Sequence, residues 1–220
     1  MTDRDYKNTP LRRTSTYVPA ALQHRNYRLF FAGQGLSLVG TWMQRIATAW
    51  LVYRLTGSAF LLGIVGFAGQ IPTFLLATFA GVYIDRTSRY RVLMITQILA
   101  TAQSALLAIL TITGHVAVWH ILVLNLFLGV INSFDMPARQ AFVIDMVEGK
   151  QDLPNAIALN SLMVNGARLV GPSLAGVAVA AFGEGICFLL NTLSFGAIIV
   201  ALLAMKLKRV EIRRSDARPW

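Results

Sequence analysis

Six apolar runs alternate along this chain with short polar turns, at about residues 29–53, 59–84, 92–113, 116–136, 155–182 and 185–205. A helix rises 1.5 Å per residue, so about 20 residues cross the roughly 30 Å hydrocarbon core of a bilayer. Each run is near or above that length, which predicts six transmembrane helices and an all-α membrane fold. The connections from Arg54 to Ser58, Gly114 to Val116 and Gly183 to Gly185 are so short that the runs they join must lie antiparallel. Residues 1–18 are polar and lack any period, so they read as a flexible tail. The first apolar run is too long for the core of a signal peptide and is followed by no small-residue cleavage site.

Composition agrees with this pattern. The chain is 55% hydrophobic and 14% charged, against about 25% charged residues in soluble domains. Cys187, the single cysteine, lies inside an apolar run, which excludes a disulfide framework and a thiol metal site.

The net charge of +10 raises the question of nucleic acid, and the placement of the charges answers it. Seventeen of the twenty Lys and Arg residues fall on the side of the N-terminus, in residues 1–28, the turn 86–91, the segment 139–150 and the tail from Lys206 onward. The opposite side has only Arg54, and Arg45 and Arg168 fall within runs. Such a split marks the cytoplasmic face, with both termini on it, rather than a basic patch for nucleic acid.

The polar residues inside the runs are the candidate chemistry. A fixed guanidinium at membrane depth costs at least about 2.5–3.5 kcal/mol, so Arg45 and Arg168 are expected to face a cavity. Gln34, Gln44 and Asn165 share their spans and complete the expected lining, which is net positive. Gly63, Gly66 and Gly69 are spaced for close helix contact, and Pro72 is expected to kink the second span. Ala167, Gly171 and Ala175 lie four apart and form one smooth face on the fifth span. Asp135 and Arg139 are also four apart and can pair. The stretch from Ala141 to Val147 is expected to be a short separate helix at the cytoplasmic surface. Asp135 and Asp145 are candidate partners for Arg86 or Arg89. No carboxylate is expected at mid-depth: Asp85 and Asp135 fall near the cytoplasmic rim and Glu184 at the outer turn. His115 and His120 have no acid or cysteine beside them, so no metal site is expected. A hydrolase is disfavoured, because Ser173 has no histidine at its depth.

The turn Gly81-Val82-Tyr83-Ile84-Asp85-Arg86-Thr87-Ser88-Arg89-Tyr90-Arg91 resembles the signature loop between the second and third helices of the major facilitator superfamily, G-x-x-x-D-R-x-x-R-[KR]-x. Ser88 stands where a glycine is usual, and Tyr90 replaces one of a basic pair. The segments Arg25 to Phe31, Gly40 to Gln44, Trp50 to Tyr53, Met136 to Phe142 and Asn155 to Ser161 resemble the bacterial exporter branch that includes enterobactin-exporter-like proteins. Gly171-Pro172 with Ala175-Gly176 is similar to the fifth-helix motif of drug–proton antiporters, with Ala167 and Ala175 in place of glycines.

This resemblance, over about residues 20–207, implies the N-terminal six-helix half of a transporter, residues 19–207, built from 3+3 inverted repeats. It implies proton-coupled efflux of a siderophore- or drug-like small molecule across the bacterial inner membrane by alternating access, with no cofactor besides the proton gradient. The gate motif would comprise Gly81, Asp85, Arg86, Arg89, Arg91, Asp135, Arg139 and Asp145. Residues 208–220 resemble the start of the central cytoplasmic loop. The partner expected is a second six-helix half, whether missing by truncation, carried on another chain or supplied by a second copy; that half is also where the coupling acid is expected. The alternative is a membrane remnant or partner subunit that does not itself transport.

Overall fold

The computed structural model describes residues 19–146 and 152–205. The tails and Lys150, with the charges assigned to them, lie outside the described residues. A single turn of helix, α1 (Ala20–Gln23), leads into six long helices: α2 (Arg25–Thr56), α3 (Ala59–Asp85), α4 (Arg89–Ile112), α5 (Val118–Met146), α6 (Leu153–Phe182) and α7 (Glu184–Ala204). No strand occurs among the described residues.

Five of these helices, α3 to α7, are long and apolar enough to cross a membrane. The 32 residues of α2 also suffice in length, but Arg25, Arg28, Gln34, Gln44 and Arg45 dilute its apolar character. Large apolar side chains point outward, with Phe74 86% and Phe60 77% exposed. Such an exterior suits lipid rather than water.

At one end of the bundle, α2, α4 and α6 each stop near a glycine in the left-handed region: Gly57 (φ 62°), Gly114 (φ 75°) and Gly183 (φ 82°). Glycine takes this conformation without a Cβ penalty and reverses the chain within a few residues. The turn at the other end, between α3 and α4, is built differently. Ser88 there has φ −65° and ψ 113°, so that position needs no glycine, and the departure from the signature loop is unstrained.

Packing follows a symmetric scheme. The helix α2 packs on α6 and α7, α5 packs on α3 and α4, and α4 packs on α7. Exchanging α2, α3 and α4 for α5, α6 and α7 maps these pairs onto one another. Two apolar layers result. One joins Tyr27, Phe30, Leu93, Phe142 and Leu202 near the basic end; the other joins Leu51, Leu107, Ile121 and Phe188 near the glycine turns.

The start of α2 is tied to the start of α6. Tyr27 donates to the Ala156 carbonyl (2.9 Å), Asn155 accepts from the Ala21 amide (3.1 Å), and His24 meets Asp152 at 3.0 Å.

Two local expectations are corrected. The stretch after Pro137 is not a separate surface helix: α5 runs unbroken to Met146. Ala138, Phe142, Val143 and Met146 are all buried in the basic-end core, and that packing carries the helix through the proline. Gly63 and Gly66 are not contact points, since a Cβ on either would meet nothing within 4 Å. The close approach is made instead by Gly129 of α5, where a Cβ would fall 2.5 Å from the Gly69 carbonyl oxygen and 3.0 Å from Pro72.

Candidate functional site

A cavity of about 220 Å³ lies between α2, α3 and α5. Four polar residues of α2, Thr41, Gln44, Arg45 and Thr48, form one wall. Their spacing of three and four residues places them along one side of the helix. Gln70 of α3 and Asn125 and Asn132 of α5 face them, and Gly66 and Gly69 leave the opposite wall low. Arg45 is exposed and forms no ion pair among the described residues. Its guanidinium carbon sits 5.1 Å from the centre of the Trp42 ring.

The five sequence candidates for a cavity lining do not form one site. Arg45 lines the larger cavity. Gln34 is buried beside a second cavity of about 30 Å³, which it shares with Asp135 and Arg139. Asn165 and Arg168 line neither; both are exposed on α6, where the Asn165 amide donates to the Ser161 carbonyl at 2.9 Å. Arg168 also reaches Trp42, 5.6 Å from the ring centre, so one indole of α2 carries guanidinium contacts from two helices.

Gln44 touches the larger cavity but is engaged elsewhere. It donates to Gln103 (3.0 Å) and accepts from Ser104 (2.8 Å) and Asn191 (2.7 Å). These bonds cross-link α2, α4 and α7 between the two apolar layers. An amide so committed is a structural hub, which one sequence cannot distinguish from a ligand contact.

At the basic end, Arg89 donates to Asp145 (2.7 Å) and to the Ala141 carbonyl (3.2 Å), joining the first turn of α4 to the last turn of α5. Asp85, Arg86 and Arg91 are exposed and form no ion pair among the described residues. Among the described residues, a Cβ at Gly81 would meet nothing within 4 Å, so no neighbouring helix approaches closely there.

Asp135 is not a partner of the loop and not an exposed rim acid. It is 2% exposed, pairs with Arg139, and accepts from Thr96 (2.9 Å) and Gln97 (2.7 Å). It lies 11 residues before the end of α5, about 16 Å at the helical rise. Asp135 is thus enclosed within the bundle rather than open at its rim. Glu184 is likewise buried and is clasped by Arg54 through two bonds of 2.7 and 3.1 Å.

On α6, Ala167, Gly171 and Ala175 are buried together with Ala156 and Met163. A Cβ on Gly171 would fall 2.5 Å from the Trp42 Cβ, so this face sets how closely α6 approaches α2. Gly176 is exposed and Pro172 half-buried. The residues that sequence reasoning did not place at the cavity are Thr41, Thr48, Gln70, Asn125 and Asn132. Thr48 gave no signal, because a lone threonine in a span reads as an intrahelical bond.

A family model for transmembrane secretion effectors of the major facilitator superfamily matches residues 14–216. The chain belongs to this family. A staphyloferrin A transporter of Staphylococcus aureus is 27% identical over 87% of this chain and 48% of its own length. The multidrug efflux pump Tap of Mycolicibacterium fortuitum is 28% identical over 82% of the chain and 42% of its own. Macrolide efflux protein A of Streptococcus pyogenes is 21% identical over 82% of the chain and 45% of its own. The chain thus spans about half the length of these curated relatives. Membership places the chain in the major facilitator superfamily, and the resemblance drawn from its motifs holds.

Proposed function

We propose that this chain forms one six-helix half of an exporter that drives a siderophore- or drug-like small molecule out of a bacterial cell by alternating access, coupled to the proton gradient. In this reading α2 is the sixth span, and the basic end with both termini faces the cytoplasm. The symmetric packing scheme supports two three-helix repeats, α2–α4 and α5–α7. The gate motif works through the Arg89–Asp145 contact, and a second six-helix half covers the face that bears Arg45, Asn165 and Arg168.

The observation that carries the reading is this polar face. Two guanidiniums on membrane-length helices find no acid among the described residues. Lipid is a poor neighbour for them, whereas a water-filled pathway between two halves suits both. The relatives, about twice as long, support the presence of a second half.

The test is efflux in inverted membrane vesicles, with the chain expressed alone and together with a C-terminal half. Gradient-dependent accumulation of a fluorescent drug only when both are present is the expected result. Accumulation by the chain alone would identify a second copy as the partner. No accumulation in either case would leave a partner subunit or a non-transporting remnant as the reading.

A further inference from the structure

We propose that the cavity between α2, α3 and α5 binds an oxyanion-bearing solute, a carboxylate foremost, with Arg45 as its charge partner and the Thr48 hydroxyl as a second donor. This rests on the efflux reading and names the chemistry that its site accepts.

The cavity wall carries one formal charge, Arg45, and no acid. A guanidinium cannot shed its proton to escape a low dielectric. The contact of Arg45 is the Trp42 ring, which offers partial compensation and leaves the donors of the guanidinium fork free for an oxyanion. Three residues further along α2, Thr48 is 5% exposed and lines the same cavity, yet its hydroxyl has no hydrogen-bond partner among the described residues. Buried hydroxyls are normally paired, so an enclosed, unsatisfied donor beside a polar wall points to a ligand that a turn of the Thr48 rotamer would reach.

The neighbours sharpen the assignment. The Gln44 amide is consumed by Gln103, Ser104 and Asn191 and holds this wall in place. Arg168, which also reaches the Trp42 ring from outside the cavity, is a second cation without an acid partner among the described residues. A cationic solute in the cavity would meet the like charge of Arg45 and, among the described residues, no carboxylate. The volume of about 220 Å³ is that of about seven waters at roughly 30 Å³ each. That accommodates a benzoate-sized anion or the acidic group of a larger solute.

The test uses the 220-residue chain in lipid nanodiscs, with 4-fluorobenzoate and 4-fluorobenzylamine as size-matched probes read by fluorine NMR. Benzoate is expected to bind at least about tenfold more tightly than benzylamine, as a charge-assisted pair implies. Arg45→Gln should abolish that preference, Arg45→Lys should keep it, and Thr48→Val should weaken benzoate binding severalfold. Helical content and thermal unfolding of each variant establish that it is folded. Equal affinity for the two probes, absence of benzoate binding, or benzoate binding unchanged in folded Arg45→Gln would overturn the assignment. Drug efflux in vesicles by the chain expressed together with a C-terminal half separates the two readings. Efflux there without anion preference in the nanodisc assay removes this inference alone, and anion binding without efflux by the paired halves removes the transport reading alone.

Discussion

Gly129 of α5 lies directly over the carbonyl of Gly69 in α3, at a distance that leaves no room for a Cβ: the added carbon would sit 2.5 Å from the oxygen. Because the obstacle is backbone, the helices themselves must separate to admit a side chain. Gly129→Ala is expected to lower stability by about 1–3 kcal/mol, the usual cost of overpacking. Gly63→Ala, where nothing lies within 4 Å, should leave contacts intact. Thermal unfolding of both variants in one detergent checks the contrast.

The buried Asp135–Arg139 pair gives a second prediction. Truncating one partner leaves the other charged and enclosed, which costs about 3–5 kcal/mol in buried pairs. Asp135→Ala should therefore destabilise strongly, and adding Arg139→Leu should restore a large part of the loss. A double-mutant cycle by chemical denaturation measures the coupling; additive effects would show that the pair is not a unit.

Gln44 satisfies three side chains at once. Gln44→Leu keeps the volume and removes all three bonds, at about 1–3 kcal/mol for each group left without a partner. The loss should exceed that of Asn165→Leu, whose amide serves only an exposed carbonyl. Comparing unfolding midpoints of the two variants checks the order.

The Arg89–Asp145 contact should behave in the opposite way. Its side chains are 33% and 29% exposed, and such pairs contribute about 0–1 kcal/mol. Asp145→Ala is expected to leave stability within about 1 kcal/mol of the parent. If the contact gates access, the same variant should change the efflux rate in vesicles; an unchanged rate would remove it from the gate.

The architecture was legible because lipid-facing helices write their length directly into the apolar runs. Each of the six runs lies on a helix, with ends shifted by a few residues, except that α5 continues ten residues past the expected end at 136. The stretch from Ala141 reads as a separate helix in the sequence, and the burial of Ala138 and Phe142 that joins it to α5 depends on distant partners. The site was less legible for a related reason. Polar residues within a span announce that something must satisfy them, but not whether that is a neighbouring helix or a solute. Gln44 and Arg45 are adjacent in sequence; one is saturated by α4 and α7, and the other is left to the cavity. Only the rotation of α2 against its neighbours separates them, and Thr48 was missed on the same account.

The bundle is pinned at three heights: Asp135 against α4, Gln44 against α4 and α7, and Arg54 against Glu184. Along α2, Gln44 and Arg54 are ten residues apart, about 15 Å of helix. A body fastened at several levels resists shear between its own helices and transmits torque as a lever. Under mechanical load it should give way in discrete steps, one fastening at a time, rather than yield like a spring. If the chain works as proposed, as half of an exporter that alternates between two openings, the compliance resides at its edges and not within this bundle.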